Sequence, residues 1–149
     1  MTMSDIHIDD FYKDVARIFL RLYLTFPRKT ILYVEDICGE DDPDDFGLHS
    51  DRFLSGFATM IWLGEHDYLR YDNTIQQEAI DQAVLSEKGF VLLSSRSTFD
   101  LDEDNHAEDI PTSVLEHSRS NIAQLRKAIK SGSSIMIRQC VHYQLSKKT

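Results

Sequence analysis

The stretch AVLSEKGFVLLSS, residues 83 to 95, begins like the end of a strand and finishes like the start of a helix. Ser86 marks the change, because its hydroxyl can cap a helix whose first turn holds Glu87 and Lys88. Phe90, Leu92 and Leu93 then supply the apolar contacts of that helix. On the other side, Ala79 to Leu85 reads as the returning strand of a hairpin whose outgoing strand is Tyr68 to Asp72, with residues 73 to 78 as a polar turn.

Further upstream, Ile8, Phe11, Val15, Ile18, Phe19, Leu22 and Phe26 recur at spacings of three and four, which predicts a helix from about residue 9 to 25. Asp9 and Asp10 suit its first turn, and Pro27 stops it. The β-branched start of TILYVEDIC, residues 30 to 38, suggests a strand; Thr30 can cap and Gly39 can end a short helix, and the helix is preferred. EDDPDDFG, residues 40 to 47, reads as a solvated loop. Ser50 caps the next helix, in which Phe53, Leu54, Phe57, Met60 and Ile61 share a face that ends near Gly64.

Helix, short helix, helix, hairpin, helix is the order of a winged helix-turn-helix domain, and residues 9 to 95 resemble that superfamily. The resemblance rests on FP at 26 and 27, WLGEHDYLRY at 62 to 71 and LSEKG at 85 to 89. The last is similar to the junction that leaves the wing in regulators of the multiple-antibiotic-resistance family, with Ser86 in place of the usual threonine. The fold class implied is mainly α (α+β), with a two-stranded wing and a C-terminal helical extension. Three parts follow: a winged-helix domain over 1–95, an acidic linker over 96–112 and a helical pair over 113–149. In the pair, Thr112 or Ser113 caps a helix bearing Leu115, Ser118, Ile122, Leu125 and Ile129; SGSS at 131 to 134 breaks it, and a last helix carries Ile137, Cys140, Val141 and Leu145.

Charge narrows the function. The net charge of -9 divides into -6 over residues 1–48, -4 over 49–95, -5 over 96–112 and +6 over 113–149. An acidic body therefore precedes a basic end, and most of the molecule would repel a polyanion. The start, MTMSDIHIDD, lacks the positive flank and apolar run of a signal peptide, and no run of 18 apolar residues occurs, so a cytoplasmic protein outside the membrane is expected. Cys38 and Cys140 have no ligand-like spacing and read as reduced, buried thiols.

No motif carries chemistry. Asp100, Asp102 and Asp104 match the opening of a calcium loop, but Asn105 and Pro111 stand where it needs Gly and Glu. The six histidines form no HxxxH or HExxH pair, and no nucleophile elbow or phosphate loop occurs. No enzyme activity, cofactor or metal is expected. The outward face of the third helix, taken as Asp51, Arg52, Ser55, Thr59, Trp62 and His66, has one cation, and the wing DNTIQQEAID has none. The expectation is a non-enzymatic protein-interaction or regulatory module, disfavoured by its charge as a partner for nucleic acid, that forms a homodimer or binds another protein. Its expected contact surface is Trp62, His66, Leu115, Ile122, Leu125 and Ile129. The alternative is a DNA-binding transcriptional regulator that reads bases with Arg52, Ser55 and Thr59 and holds the backbone with the basic C-terminal segment.

Overall fold

The computed structural model describes residues 5–97 and 119–147. The described elements run α1 (Ile6–Thr25), β1 (Thr30–Tyr33), α2 (Val34–Cys38), α3 (Asp51–Glu65), β2 (Leu69–Arg70), β3 (Asn73–Ile75), β4 (Ala79–Leu85), α4 (Glu87–Ser94), α5 (Asn121–Ser131) and α6 (Ser134–Leu145). The class is α+β, six described helices around a small antiparallel sheet of four strands.

The spacing along α1 buries Val15, Ile18, Phe19 and Leu22 completely, and this helix is the axis of the fold. It packs against α3, α5 and α6. Burying a large aliphatic or aromatic side chain is worth about 1.5–3 kcal/mol, so this one stripe anchors much of the molecule. In the sheet, β4 is central: β1 pairs with one edge, and β2 and β3 pair with the other.

Two expectations need correction here. Residues 30 to 33 form a strand, with Thr30 opposite Ala83, Leu32 opposite Ile80 and Tyr33 opposite Ala79. The helix is confined to Val34–Cys38, where Gly39 ends it at φ 93°. Period two explains the difference: Leu32 is buried while Ile31 and Tyr33 face outward, and the open edge of β4 outweighs the capping tendency of Thr30. The polar turn is also shorter than its composition suggests, because Asn73, Thr74 and Ile75 pair with Asp81, Ile80 and Ala79.

The strand-to-helix junction has the expected cap. Ser86 Oγ accepts from the Gly89 N–H at 3.0 Å, and its own hydroxyl donates to the Asp67 carbonyl. Gly89 is required by closeness, since a Cβ there would stand 2.1 Å from the Tyr68 carbonyl oxygen. The hairpin and the first turn of α4 are thereby fastened at one point.

The C-terminal helices fold onto the same chain. Ser120 caps α5 and Ser133 caps α6, each accepting from an amide three residues on. The helix expected from Thr112 or Ser113 begins, within the described residues, at Asn121, after a bridge between Arg96 and Ser120. Ile122, Leu125, Ala128, Cys140 and Val141 join the core formed by α1 and the sheet.

Candidate protein-interaction face

The face of α3 that periodicity assigns to solvent lies partly against α1. Arg52 shows this most clearly. Its Nη2 donates to Asp14 Oδ1 at 2.7 Å and its Nη1 donates to Asp14 Oδ2 at 2.8 Å, while Nε lies 3.4 Å from Asp10 Oδ2. Asp14 is fully buried, so this bidentate pair is shielded from water on the carboxylate side. The hydrogen bonds and the nearby carboxylates raise the Arg52 pKa still further above its ordinary value against the cost of burial.

Cys38 completes the cluster. Its Sγ lies 3.8 Å from both Asp14 oxygens and 3.3 Å from Arg52 Nη1. Burial and the neighbouring carboxylate push the thiol up to about 11. Cys140 is pushed up to about 12 by burial alone. Neither is a thiolate at neutral pH, which leaves both as poor nucleophiles. Gly56 lets α3 approach this cluster, because a Cβ there would sit 2.1 Å from Cys38 Sγ.

Along the same helix, Thr59 is buried and its hydroxyl donates to the Ser55 carbonyl at 2.9 Å. Arg52 and Ser55 are thus half-buried and Thr59 is buried, on a helix that packs against α1. Trp62 is half-buried. Phe11 of α1 meets its ring edge-on at 5.2 Å, and His66 stacks on it at 4.0 Å. The rings around Trp62 come from Phe11 on α1, from His66 just past the end of α3 and from Tyr68.

Between α1 and α3 this leaves an apolar cleft of about 440 Å³, lined by His7, Ile8, Phe11, Ser55, Ala58, Thr59 and Trp62. Ile8, which lines it, is exposed, as is Ile6 two residues earlier on α1. His66 is also exposed, with Nδ1 placed 2.9 Å from the Trp62 carbonyl.

The remaining expected contact residues separate. Ile122 and Leu125 are completely buried within the chain's own core, so they are not surface residues. They pack inward because α5 lies on α1 and α4. Ile129 is half-buried against that core, and Leu115 lies outside the described residues, as do Asp100, Asp102, Asp104, Asn105 and Pro111. Of the basic C-terminal side chains, Arg138 lies 3.6 Å from Asp9, and Arg126 lies over the Tyr23 ring at 5.8 Å.

A second cluster, which spacing did not reveal, ties the acidic loop to the hairpin. His49 lies between Asp41, at 3.0 Å, and Glu78, at 3.3 Å, and stacks on Phe53 with centroids 3.9 Å apart. Asp41 also accepts from the Ser50 N–H at 2.9 Å, and these hydrogen bonds hold its carboxyl below its ordinary value. Among the described residues, no three His, Cys, Asp or Glu side chains are grouped to hold a metal ion, and no helix is long and apolar enough to cross a membrane. Comparison with family models, with curated proteins and with solved structures finds no match to this chain.

Proposed function

We propose that the chain is a non-enzymatic winged-helix protein that acts through protein contacts and associates with itself at the cleft beside Trp62. The order α1, β1, α2, α3, hairpin, α4 supports the winged-helix reading. One observation carries the functional one: the single Arg on the outer part of α3 is bound to Asp14 and Asp10, while the neighbouring cleft is apolar. A duplex would meet little free positive charge there, and an apolar side chain would meet Ile8, Phe11 and Trp62.

Light scattering behind size exclusion at micromolar concentration tests this. The expected mass is twice 17.2 kDa, and Ile8→Glu at the mouth of the cleft should return it to one chain. A single 17.2 kDa species for the unaltered protein would overturn self-association. Titration into fluorescent duplex DNA at low salt tests the alternative. Steeply salt-sensitive binding lost on Arg52→Ala would favour a DNA-binding regulator.

A further inference from the structure

The basic residues of the first 48 positions are Lys13, Arg17, Arg21, Arg28 and Lys29. Two of them, Arg17 and Arg21, line one groove beside β1, while Lys29 lines a separate hollow beside β2 and β4. Lys13, Arg17 and Arg21 follow one another at four-residue intervals on α1, and Arg28 and Lys29 occupy the turn into β1. Arg17, Arg21, Arg28 and Lys29 are all exposed.

Beside them β1 has an open edge. The Val34 N–H donates to the Glu78 carbonyl at 2.8 Å, which makes the pairs in step with it, such as Leu32 with Ile80, the bonded ones. By antiparallel alternation, the N–H and C=O groups of Ile31 and Tyr33 point away from β4. Among the described residues, no strand pairs with that side of β1.

A groove of about 360 Å³ runs between this edge and α1, with Leu20, Leu24 and Ile31 as apolar lining and Arg17 and Arg21 at the rim. Leu24 is 63% exposed, high for a leucine flanked by a charged rim. Asp36 also lines the groove and holds Arg21 at 3.3 Å, Arg17 Nη1 donates to the Ile37 carbonyl at 2.8 Å, and Glu35 is exposed beside them; with Arg28 and Lys29 in the adjoining turn, this end of the molecule carries four exposed cations against these two acids.

From this geometry we infer that the β1 edge is a docking site for an extended acidic peptide segment of a partner protein, added as a further strand beside β1. Its backbone pairs with Ile31 and Tyr33, its alternate apolar side chains lie on Leu24 and Ile31, and its carboxylates meet Arg17 and Arg21 at the rim, drawn also by the exposed Arg28 and Lys29 in the turn before β1. A second copy of β1 fits worse, since two-fold pairing would bring these cations against their own copies. This site lies apart from the cleft at Trp62, and the two stand or fall separately.

The test uses the full chain and three labelled octapeptides: one alternating valine with glutamate, one alternating valine with lysine, and the glutamate peptide N-methylated at alternate amides. Fluorescence anisotropy should show binding of the first, weakened by about tenfold with salt or with the lysine replacement and lost on N-methylation. Ile31→Pro removes one outward N–H while sparing the bonds to β4, as proline is accepted on an edge strand, and should abolish binding. Arg28→Glu with Lys29→Glu, both on exposed residues, should weaken it by about tenfold without touching the core. Equal binding of all three peptides, no binding, or binding indifferent to both protein variants would overturn the assignment. So would a change in the protein's own mass on either variant, because the edge would then serve a second copy.

Discussion

Arg52 and His49 stand three residues apart at the beginning of α3, and each lies between two carboxylates. Arg52 joins α3 to a wholly buried Asp14 on α1, with Asp10 and Cys38 around it. His49 joins the acidic loop to the hairpin, and its partner Glu78 is half exposed. The arrangement of charges is similar, but the surroundings are not. In the first cluster water is absent around the carboxylate, so removing the cation leaves a buried charge with no partner. In the second, Asp41 and His49 are largely covered but Glu78 is half exposed, so water can take the place of that carboxylate. Burial therefore decides which of the two is structural and which can open.

The contrast predicts a graded series under chemical denaturation. Arg52→Leu should lose about 3 kcal/mol, since Asp14 would be stranded. If His49→Ala lost as much, the contrast would collapse. Gly56→Ala should lose about 2 kcal/mol, because the new methyl meets Cys38 Sγ, and Cys38→Ala in the same chain should restore part of it. Ser50, which lies between the two clusters, accepts from the Phe53 N–H at 3.2 Å; Ser50→Ala should lose about 1 kcal/mol.

The smallest effect concerns Asp41. Its folded carboxyl is held below the ordinary 3.8, so its contribution is fully present above that pH and is lost as the pH falls through the lower folded value. The stability difference between the unaltered protein and Asp41→Asn, followed by denaturation at successive pH values, should therefore be constant near neutrality and shrink in acid. A difference that grows in acid would reverse the sign and sink this account.

How much of this was legible beforehand depends on the range of each interaction. Ser50 and Ser86 could be recognised as caps because a cap acts within three residues. The apolar stripe of α1 was likewise readable from its own spacing. Arg52 was assigned to solvent because nothing near it in sequence reveals Asp14, 38 residues away on another helix. The strand at Thr30–Tyr33 exists through its pairing with β4, about fifty residues later, which local propensity cannot express. Ile122 and Leu125 showed an apolar stripe, and a stripe alone does not tell whether it is buried by its own chain or by another.

The packing of α6 on α1 joins one of the last described helices to the first. During synthesis α1 emerges early, yet the helix that covers much of its flank is made only after about a hundred more residues have been added. For that interval a greasy stripe waits at the ribosome without its cover. Nascent chains of this protein should consequently be clients for chaperones that shield apolar helices until translation reaches Leu145.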